Sequence, residues 1–205
     1  MAKIKLTKNE LKFQREALAR YERFLPILQL KKQQLQLEIQ TLDAKIAEKS
    51  LQEKNLWERL SSWIKLFGND SESNVVMQRI SVESIQSDLG NIAGVVIPVL
   101  VEIRLRVKDP DVFSDPPWYH DAVSVLQELL RLRIELNFLE RQRQLIADEL
   151  RVISQRVNLF EKVKIPECVE NIRRIKIFLG DQQTAAVVRG KIAKSRIKTA
   201  EDMFY

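Results

Sequence analysis

A heptad pattern of apolar residues runs through the first third of the chain and constrains the fold more than any other feature. It begins at Leu11, advances by alternate steps of three and four residues, and ends at Phe67; thirteen of its seventeen positions are apolar. A seam sustained over about eight heptads is typical of a long helix packed against another helix in a coiled coil. Gly68 and two polar residues then predict the end of the helix. The positions are Leu11, Gln14, Leu18, Tyr21, Leu25, Leu28, Lys32, Leu35, Ile39, Leu42, Ile46, Lys49, Glu53, Leu56, Leu60, Trp63 and Phe67.

A second seam occupies the last third of the chain. Asp115 and Pro116 predict the start of its helix, because proline is tolerated in a first helical turn. Ten of its eleven positions are apolar, but the phase slips after Phe160. We expect Gly180 and Gly190 to weaken helicity in the tail beyond it. The positions are Val125, Leu129, Leu132, Leu136, Leu139, Arg143, Ile146, Leu150, Ile153, Val157 and Phe160, and after the slip Ile165, Val169, Ile172, Ile175 and Leu179.

The segment between the seams has the chemistry of β-strands. Apolar and charged residues alternate from Val101 to Val107, which is typical of a half-buried strand. Pro98 places this strand at a sheet edge or beside a turn, since proline cannot donate to a ladder. The preceding stretch ISVESIQSDL is interpreted as a strand or a short helix, and DPDVFSDPPW as a loop. The segment predicts a small β-hairpin or short sheet.

Two long helices joined through a small segment most simply fold back on each other. The predicted fold is therefore mainly α: a long antiparallel two-helix coiled coil with a β-hairpin in the middle. We expect residues 1–68 to form the N-terminal helix, 69–117 the middle segment, and 118–205 the C-terminal helix with a basic tail. Both ends of the chain then lie together.

Positive charge is concentrated at the two ends of the chain. Residues 1–32 contain nine Lys and Arg against three acids, residues 162–205 contain ten against five, and residues 33–161 contain fifteen against twenty. The bases alternate with apolar residues, which suits a helix lodged in a protein collar better than one laid on nucleic acid, although solubility alone is a simpler explanation. The candidate contact residues are Lys8, Lys12, Arg15, Arg20, Arg23, Arg173, Arg174, Lys191 and Lys194.

Two prolines lie inside the predicted helices. A helix-interior proline costs about 3 kcal/mol, a defect that a long apolar seam offsets. Pro26 and Pro166 are the candidate kinks, and a fold-back centred near residue 92 puts them in the same zone. We expect both helices to bend there; the alternative is that each kink is local and uncorrelated.

No constellation of residues predicts catalysis, a cofactor or a metal site. His120 and Cys168 are single and far apart, and Gly190-Lys191 lacks the rest of a phosphate-binding loop. The longest apolar run, 95–101, is too short to span a bilayer, so we expect no direct membrane insertion, and the first residues lack a signal-peptide core.

Two stretches resemble the D subunit of V-type ATPases and ATP synthases. The first is LTKNELKFQREALARYERFLPILQLKKQQLQLEI, and the second, at 156–180, is RVNLFEKVKIPECVENIRRIKIFLG. The second is similar through Val157, Asn158 and Glu161, then Ile165-Pro166, then an Ile-rich helix followed by basic residues. The resemblance covers both predicted helices.

The resemblance implies a non-catalytic central-stalk subunit, the rotor shaft that couples ATP hydrolysis or synthesis to proton or sodium movement. Its implied partners are the catalytic A and B subunits, the small F subunit of the stalk and the subunit that docks onto the membrane ring, with no nucleic acid and no cofactor. It would be cytoplasmic and peripheral to the membrane through the complex. The alternative is a free-standing coiled-coil adaptor or tether that binds nucleic acid through its basic end.

Overall fold

Long helices and one β-hairpin make up the fold. The computed structural model describes residues 4–64, 80–108 and 119–203, with side chains at 4–59, 80–108 and 120–196. The mainly α prediction with a small antiparallel hairpin is confirmed, whereas the predicted boundaries at 68/69 and 117/118 lie outside the described residues. In chain order the elements are α1 (Lys8–Ile64), β1 (Ile80–Ile92), β2 (Val95–Val107), α2 (Tyr119–Leu159), a π-turn (Phe160–Lys164) and α3 (Ile165–Met203).

Helix α1 begins at a side-chain cap and continues through a proline. The Thr7 hydroxyl accepts a hydrogen bond from the Glu10 backbone N–H at 3.2 Å, satisfying one of the donors that a helix start leaves unpaired. The helix then runs for 57 residues with Pro26 inside it. Each seam position with a described side chain is buried or half-buried, so the predicted seam is confirmed from Leu11 to Leu56.

The chain forms two compact units. The terminal unit comprises Met1–Leu30 and Ile153–Tyr205, and the central unit comprises Lys31–Val152. Each unit therefore contains parts of both long helical segments, which follows from an antiparallel pairing of α1 with the C-terminal helices.

In the central unit, α1 and α2 pack through their apolar seams. Leu35 and Ile146 are completely buried, and Leu56 clusters with Leu129 and Leu132. Ion pairs flank the seam, and their order is antiparallel: Lys31–Glu149 at 3.3 Å, Asp43–Arg143, Lys49–Glu135 at 2.7 Å and Glu53–Arg133 at 3.1 Å. These side chains are partly exposed, so each pair contributes at most about 1 kcal/mol and mainly specifies register.

The hairpin closes through a two-residue turn at Ala93 and Gly94, whose φ angles are 50° and 81°. Positive φ at both central residues is the geometry of a type I′ turn, which matches the twist of hairpin strands. The Asn91 side-chain oxygen accepts a hydrogen bond from the Gly94 N–H at 2.9 Å. The stretch interpreted as a strand or a short helix is strand β1.

Both strands hold the hairpin to the helices of the central unit. Ile97 is 2% exposed, and the Gln142 side-chain amide donates to the Pro98 carbonyl oxygen at 2.6 Å. At the open end of the hairpin, Ile80 packs with Val123 of α2. Pro98 pairs with Leu89 in a two-stranded sheet, so both strands are edge strands. This agrees with the prediction that Pro98 lies at a sheet edge, because proline has no backbone N–H to donate.

In the terminal unit, the first and last parts of the chain pack together. The rings of Tyr21 and Phe160 lie 4.9 Å apart, and Ala17, Ile153 and Val157 are buried. The basic ends of the sequence thus belong to one compact unit.

The phase slip after Phe160 coincides with the π-turn. The Ile165 N–H donates to the Phe160 carbonyl, five residues back instead of four. The predicted continuation of the seam is correct at Ile175, which is fully buried, but wrong at Val169, which is 50% exposed. Cys168 and Asn171 are buried instead, because the π-turn rotates the following residues relative to a regular helix.

Helix α3 continues beyond its packed part. It passes through Gly180 and Gly190 and ends at Met203, so the glycines do not interrupt it. Side chains from 180 to 196 are all exposed. This stretch of α3, with its exposed faces, carries the basic tail of the sequence.

Candidate interaction surfaces

All nine candidate basic residues lie in the terminal unit, and their side chains are exposed. Five stand on α1 and four on α3, and the packing of the two helices brings both groups into one unit. Their exposure follows from the heptad pattern, because they occupy positions off the seam.

Three of these bases form ion pairs with acids on the same helix. Lys12 lies 3.9 Å from Glu16, while Arg173 and Arg174 share Glu170 at 3.2 and 2.9 Å. The hydrogen bond from Arg174 lowers the pKa of the Glu170 carboxyl below its ordinary value. The remaining six candidates make no ion pair with another described residue. They are Lys8, Arg15, Arg20, Arg23, Lys191 and Lys194.

Exposed apolar side chains lie among these bases. On α1, Phe13 and Phe24 are 55% and 50% exposed, and on α3, Val187 and Ile192 remain about half exposed. An interspersed set of large apolar and basic residues is typical of protein interfaces, where aromatic side chains and arginine are enriched. The terminal unit is therefore a candidate protein-binding surface.

The two candidate kinks also lie in this unit. Pro166 is the second residue after the π-turn. Pro26 lies five residues after Tyr21, whose ring contacts Phe160, the first residue of that turn. Both prolines are thus near one interhelical contact in sequence, and a shared bend there remains a prediction.

A second apolar surface, on α1 in the central unit, was not predicted from the sequence. Leu37 and Leu51 are 62% and 59% exposed, with Ala44 midway between them. Seven-residue spacing places the three on one face of the helix, away from the buried seam residues Leu35 and Leu42. The signal was present in the sequence as leucines at heptad positions outside the seam.

The hairpin adds an open cleft and an exposed sheet surface to the central unit. A cleft of about 640 Å³ lies between β2 and the two helices. It is bordered by charges of both signs, including Lys49, Arg131 and Glu135. Leu89 and Val101 on the strands are 76% and 64% exposed. The central unit thus has an open, charged cleft beside exposed apolar strand residues.

The titratable groups do not assemble a reaction centre in the described part of the chain. Groups of three or more metal-ligating side chains are absent from the described residues. The Cys168 thiol is buried in the helical seam, and burial raises its pKa, which keeps it protonated and unreactive. His120 is exposed at the start of α2.

Within the described ranges, every helix is too polar or too short in its apolar runs to cross a bilayer.

Comparison with known proteins identifies the family to which the chain belongs. The profile of the ATP synthase D subunit matches residues 10–195. The V-type ATP synthase D subunit of Borreliella burgdorferi is 46% identical over 197 residues, covering 96% of each chain. The proteins of the same description from Chlamydia pneumoniae and Chlamydia muridarum are 33% and 32% identical, over 95% and 96% of this chain and 93% and 97% of their own. The chain with its seamed helices, π-turn and hairpin therefore belongs to the family of ATP synthase D subunits.

Proposed function

We propose that this chain is the non-catalytic central-stalk subunit, or rotor shaft, of a V-type rotary ATPase or ATP synthase. It would couple ATP hydrolysis or synthesis in the catalytic head to proton or sodium translocation across the membrane. The match to the D subunit over nearly the whole chain is the observation that carries this proposal.

The packing of the helices supports a torque-transmitting role. Helix α1 has 57 residues, a length of about 85 Å at 1.5 Å per residue. Its seam is closed by fully buried residues such as Leu35, and interhelical ion pairs fix the register beside it. Helices locked by interdigitating side chains resist sliding and twisting because interiors are close-packed.

The terminal unit is proposed to contact the catalytic A and B subunits. Its exposed bases and half-exposed phenylalanines would fit a protein collar that presents acidic and apolar side chains. The basic tail of α3, whose side chains are all exposed as far as residue 196, would extend that contact.

The central unit is proposed to contact the other partners, the small F subunit of the stalk and the subunit that docks onto the membrane ring. The apolar face formed by Leu37, Ala44 and Leu51 would accept a complementary helix of the F subunit. The chain would reach the membrane only through these partners, as a peripheral cytoplasmic component.

Charge reversal tests the contact with the head. In the full chain, Arg15, Arg20 and Arg23 are changed together to glutamate and assembly with the A and B subunits is measured. The matched control changes three exposed bases of the central unit to glutamate: Lys54, Arg141 and Arg151. We expect at least about a tenfold loss of assembly for the first variant and near-normal assembly for the control. Equal loss in both variants would mean that net charge, not the terminal unit, governs assembly.

The nucleic-acid tether is tested on the same samples. Its supporting observation is the set of six exposed bases without ion pairs to described residues. DNA binding with a steep salt dependence, together with failure to assemble with A and B subunits, would favour the tether and overturn the rotor proposal.

A further inference from the structure

We infer that the π-turn contains one residue more than the heptad pattern of the C-terminal helical segment requires. The turn is a soft joint, meaning a place where the helix opens more readily than its neighbouring turns, and the helices would still pack together without the extra residue. The inference goes beyond the proposed rotor role and does not depend on it. Single-residue insertions into helices are accommodated as π-bulges, which weaken the helix locally and are kept where a helix must deform.

The spacing of the seam positions before and after Phe160 shows that one residue is extra. Up to Phe160 the seam follows regular steps of three and four residues, and Ile153 and Val157 are buried on it. Continuing the same steps beyond Phe160 would bring Lys164, Glu167, Asn171, Arg174 and Phe178 to the seam, four of them polar or charged. Removing one residue from the turn would instead continue the seam through apolar positions only. These are Ile165, Cys168, Ile172, Ile175 and Leu179.

The structure has the burial that this frame requires. Cys168 is 6% exposed and Ile175 is fully buried, whereas Glu167 and Arg174 are exposed. Asn171, next to the half-buried Ile172, is the one position of the unshifted frame that is buried, at 7% exposure. The rotation between the two frames is taken up within Phe160–Lys164, where the Ile165 N–H reaches back five residues to the Phe160 carbonyl. The π-turn therefore exchanges a charged seam for an apolar one.

Pro166 does not explain the π-turn. A proline inside a helix lacks a donor and crowds the carbonyl four residues earlier, which could widen the preceding turn. Pro26 has the same chemistry inside α1, yet the helix there remains α-helical from Lys8 to Ile64. The two sites differ in heptad phase, which changes at Phe160 and not near Pro26.

The joint is soft because, apart from Phe160, whose ring contacts Tyr21, its residues are poorly packed. None of the five residues of the π-turn is buried, and Val163 is 48% exposed. The seam residues on either side, Val157 and Cys168, are buried at 4% and 6% exposure. A wide turn with few apolar contacts, between well-packed turns, is where a helix opens first.

Deletion of Val163 from the full chain tests the inference by thermal unfolding and by amide hydrogen exchange. We expect the melting temperature to rise by about 2–4 °C, since the wide turn disappears while the seam stays apolar. In the unmodified chain, amides of residues 160–165 should exchange at least about tenfold faster than those of 146–157, and in the deletion variant the two segments should exchange alike.

Two further variants complete the test. Deletion of the exposed Gln155 also shifts the frame by one residue, but it replaces Val157 and Phe160 on the seam by Asn158 and Glu161, so its melting temperature should fall. Pro166→Ala should leave the fast exchange at 160–165 in place.

The inference is overturned if deletion of Val163 lowers the melting temperature as deletion of Gln155 does, or if the amides of residues 160–165 exchange as slowly as those of 146–157 in the unmodified chain. It is also overturned if Pro166→Ala abolishes the fast exchange, because proline would then be the cause of the turn.

Discussion

The aromatic rings of Tyr21 and Phe160 lie 4.9 Å apart at an interplanar angle of 51°, which joins the N-terminal helix to the first residue of the π-turn. Tilted ring pairs at this separation contribute about 0.5–1.5 kcal/mol beyond the burial of their surface. The contact supplies aromatic packing at the one place in the terminal unit where the described C-terminal helical segment is not α-helical.

This contact makes a prediction for the stability of the chain. Tyr21→Ala should lower the free energy of unfolding by about 2–3 kcal/mol, and a double-mutant cycle with Phe160→Ala should give a coupling of about 0.5–1.5 kcal/mol, measured by urea denaturation. Phe24→Ala is the control, because Phe24 is half exposed and its loss should cost about 0.5 kcal/mol or less. A coupling of zero would show that the rings contribute independently.

The helical seam should dominate the stability of the central unit. Leu35→Ala and Ile146→Ala each remove a fully buried side chain and should cost about 2–5 kcal/mol in chemical denaturation. Leu37→Ala, on the same helix but 62% exposed, should change stability by about 0.5 kcal/mol or less. Similar losses at positions 35 and 37 would contradict the assignment of the seam.

The hairpin should depend on one side-chain hydrogen bond. Gln142 is 9% exposed and donates to the Pro98 carbonyl, so Gln142→Leu leaves that acceptor without its donor and should cost about 1–3 kcal/mol. Faster hydrogen exchange of the β1 and β2 amides would report the loosened hairpin. Gln144→Leu, which removes only an exposed contact to Asp148, should leave that exchange unchanged.

Acid should weaken the terminal unit through Glu170. The pKa of this carboxyl is lowered first by the Arg174 hydrogen bond, so the folded state favours the ionised form. Because the folded pKa lies below the unfolded one, the stabilisation is present above about pH 4.5 and is lost as pH falls through the lowered pKa. The melting temperature of Glu170→Gln should therefore fall less between pH 7 and pH 3 than that of the unmodified chain. An identical fall in both would contradict this role for the carboxyl.

Cys168 should be unreactive while the chain is folded. Its thiol is buried in the seam and its pKa is raised, first by desolvation and then by Glu167. Labelling by a thiol reagent at pH 8 should be slow without denaturant and complete within the mixing time in concentrated urea. Rapid labelling of the folded chain would show that this part of the seam is open.

The heptad pattern predicted both seams because side-chain periodicity records which face of a helix is buried. It predicted the burial of Leu42 and Ile153 correctly, and alternation around Ile103 predicted the hairpin. Periodicity also revealed the phase slip, but it could not assign a π-turn. A shift in backbone hydrogen bonding and a break in the helix both change the spacing of apolar residues in the same way.

The turn at Ala93 could not be predicted for a different reason. Positive φ is disfavoured for alanine, so a turn residue such as asparagine or glycine would normally mark a type I′ turn. The strand pairing imposes that geometry here. The exposed leucines at 37 and 51 were present as a pattern, but a single chain gives no sign of which partner would cover them.

The central claim, that this chain turns inside a catalytic head, is tested most directly by watching it. With Cys168→Ser and Arg141→Cys, an optical probe is attached at the exposed position 141 of the assembled complex while the A and B subunits are fixed to a surface. We predict continuous rotation of the probe in one direction when ATP is added, and none without ATP. A complex that hydrolyses ATP at its full rate while the probe stays still would contradict the account.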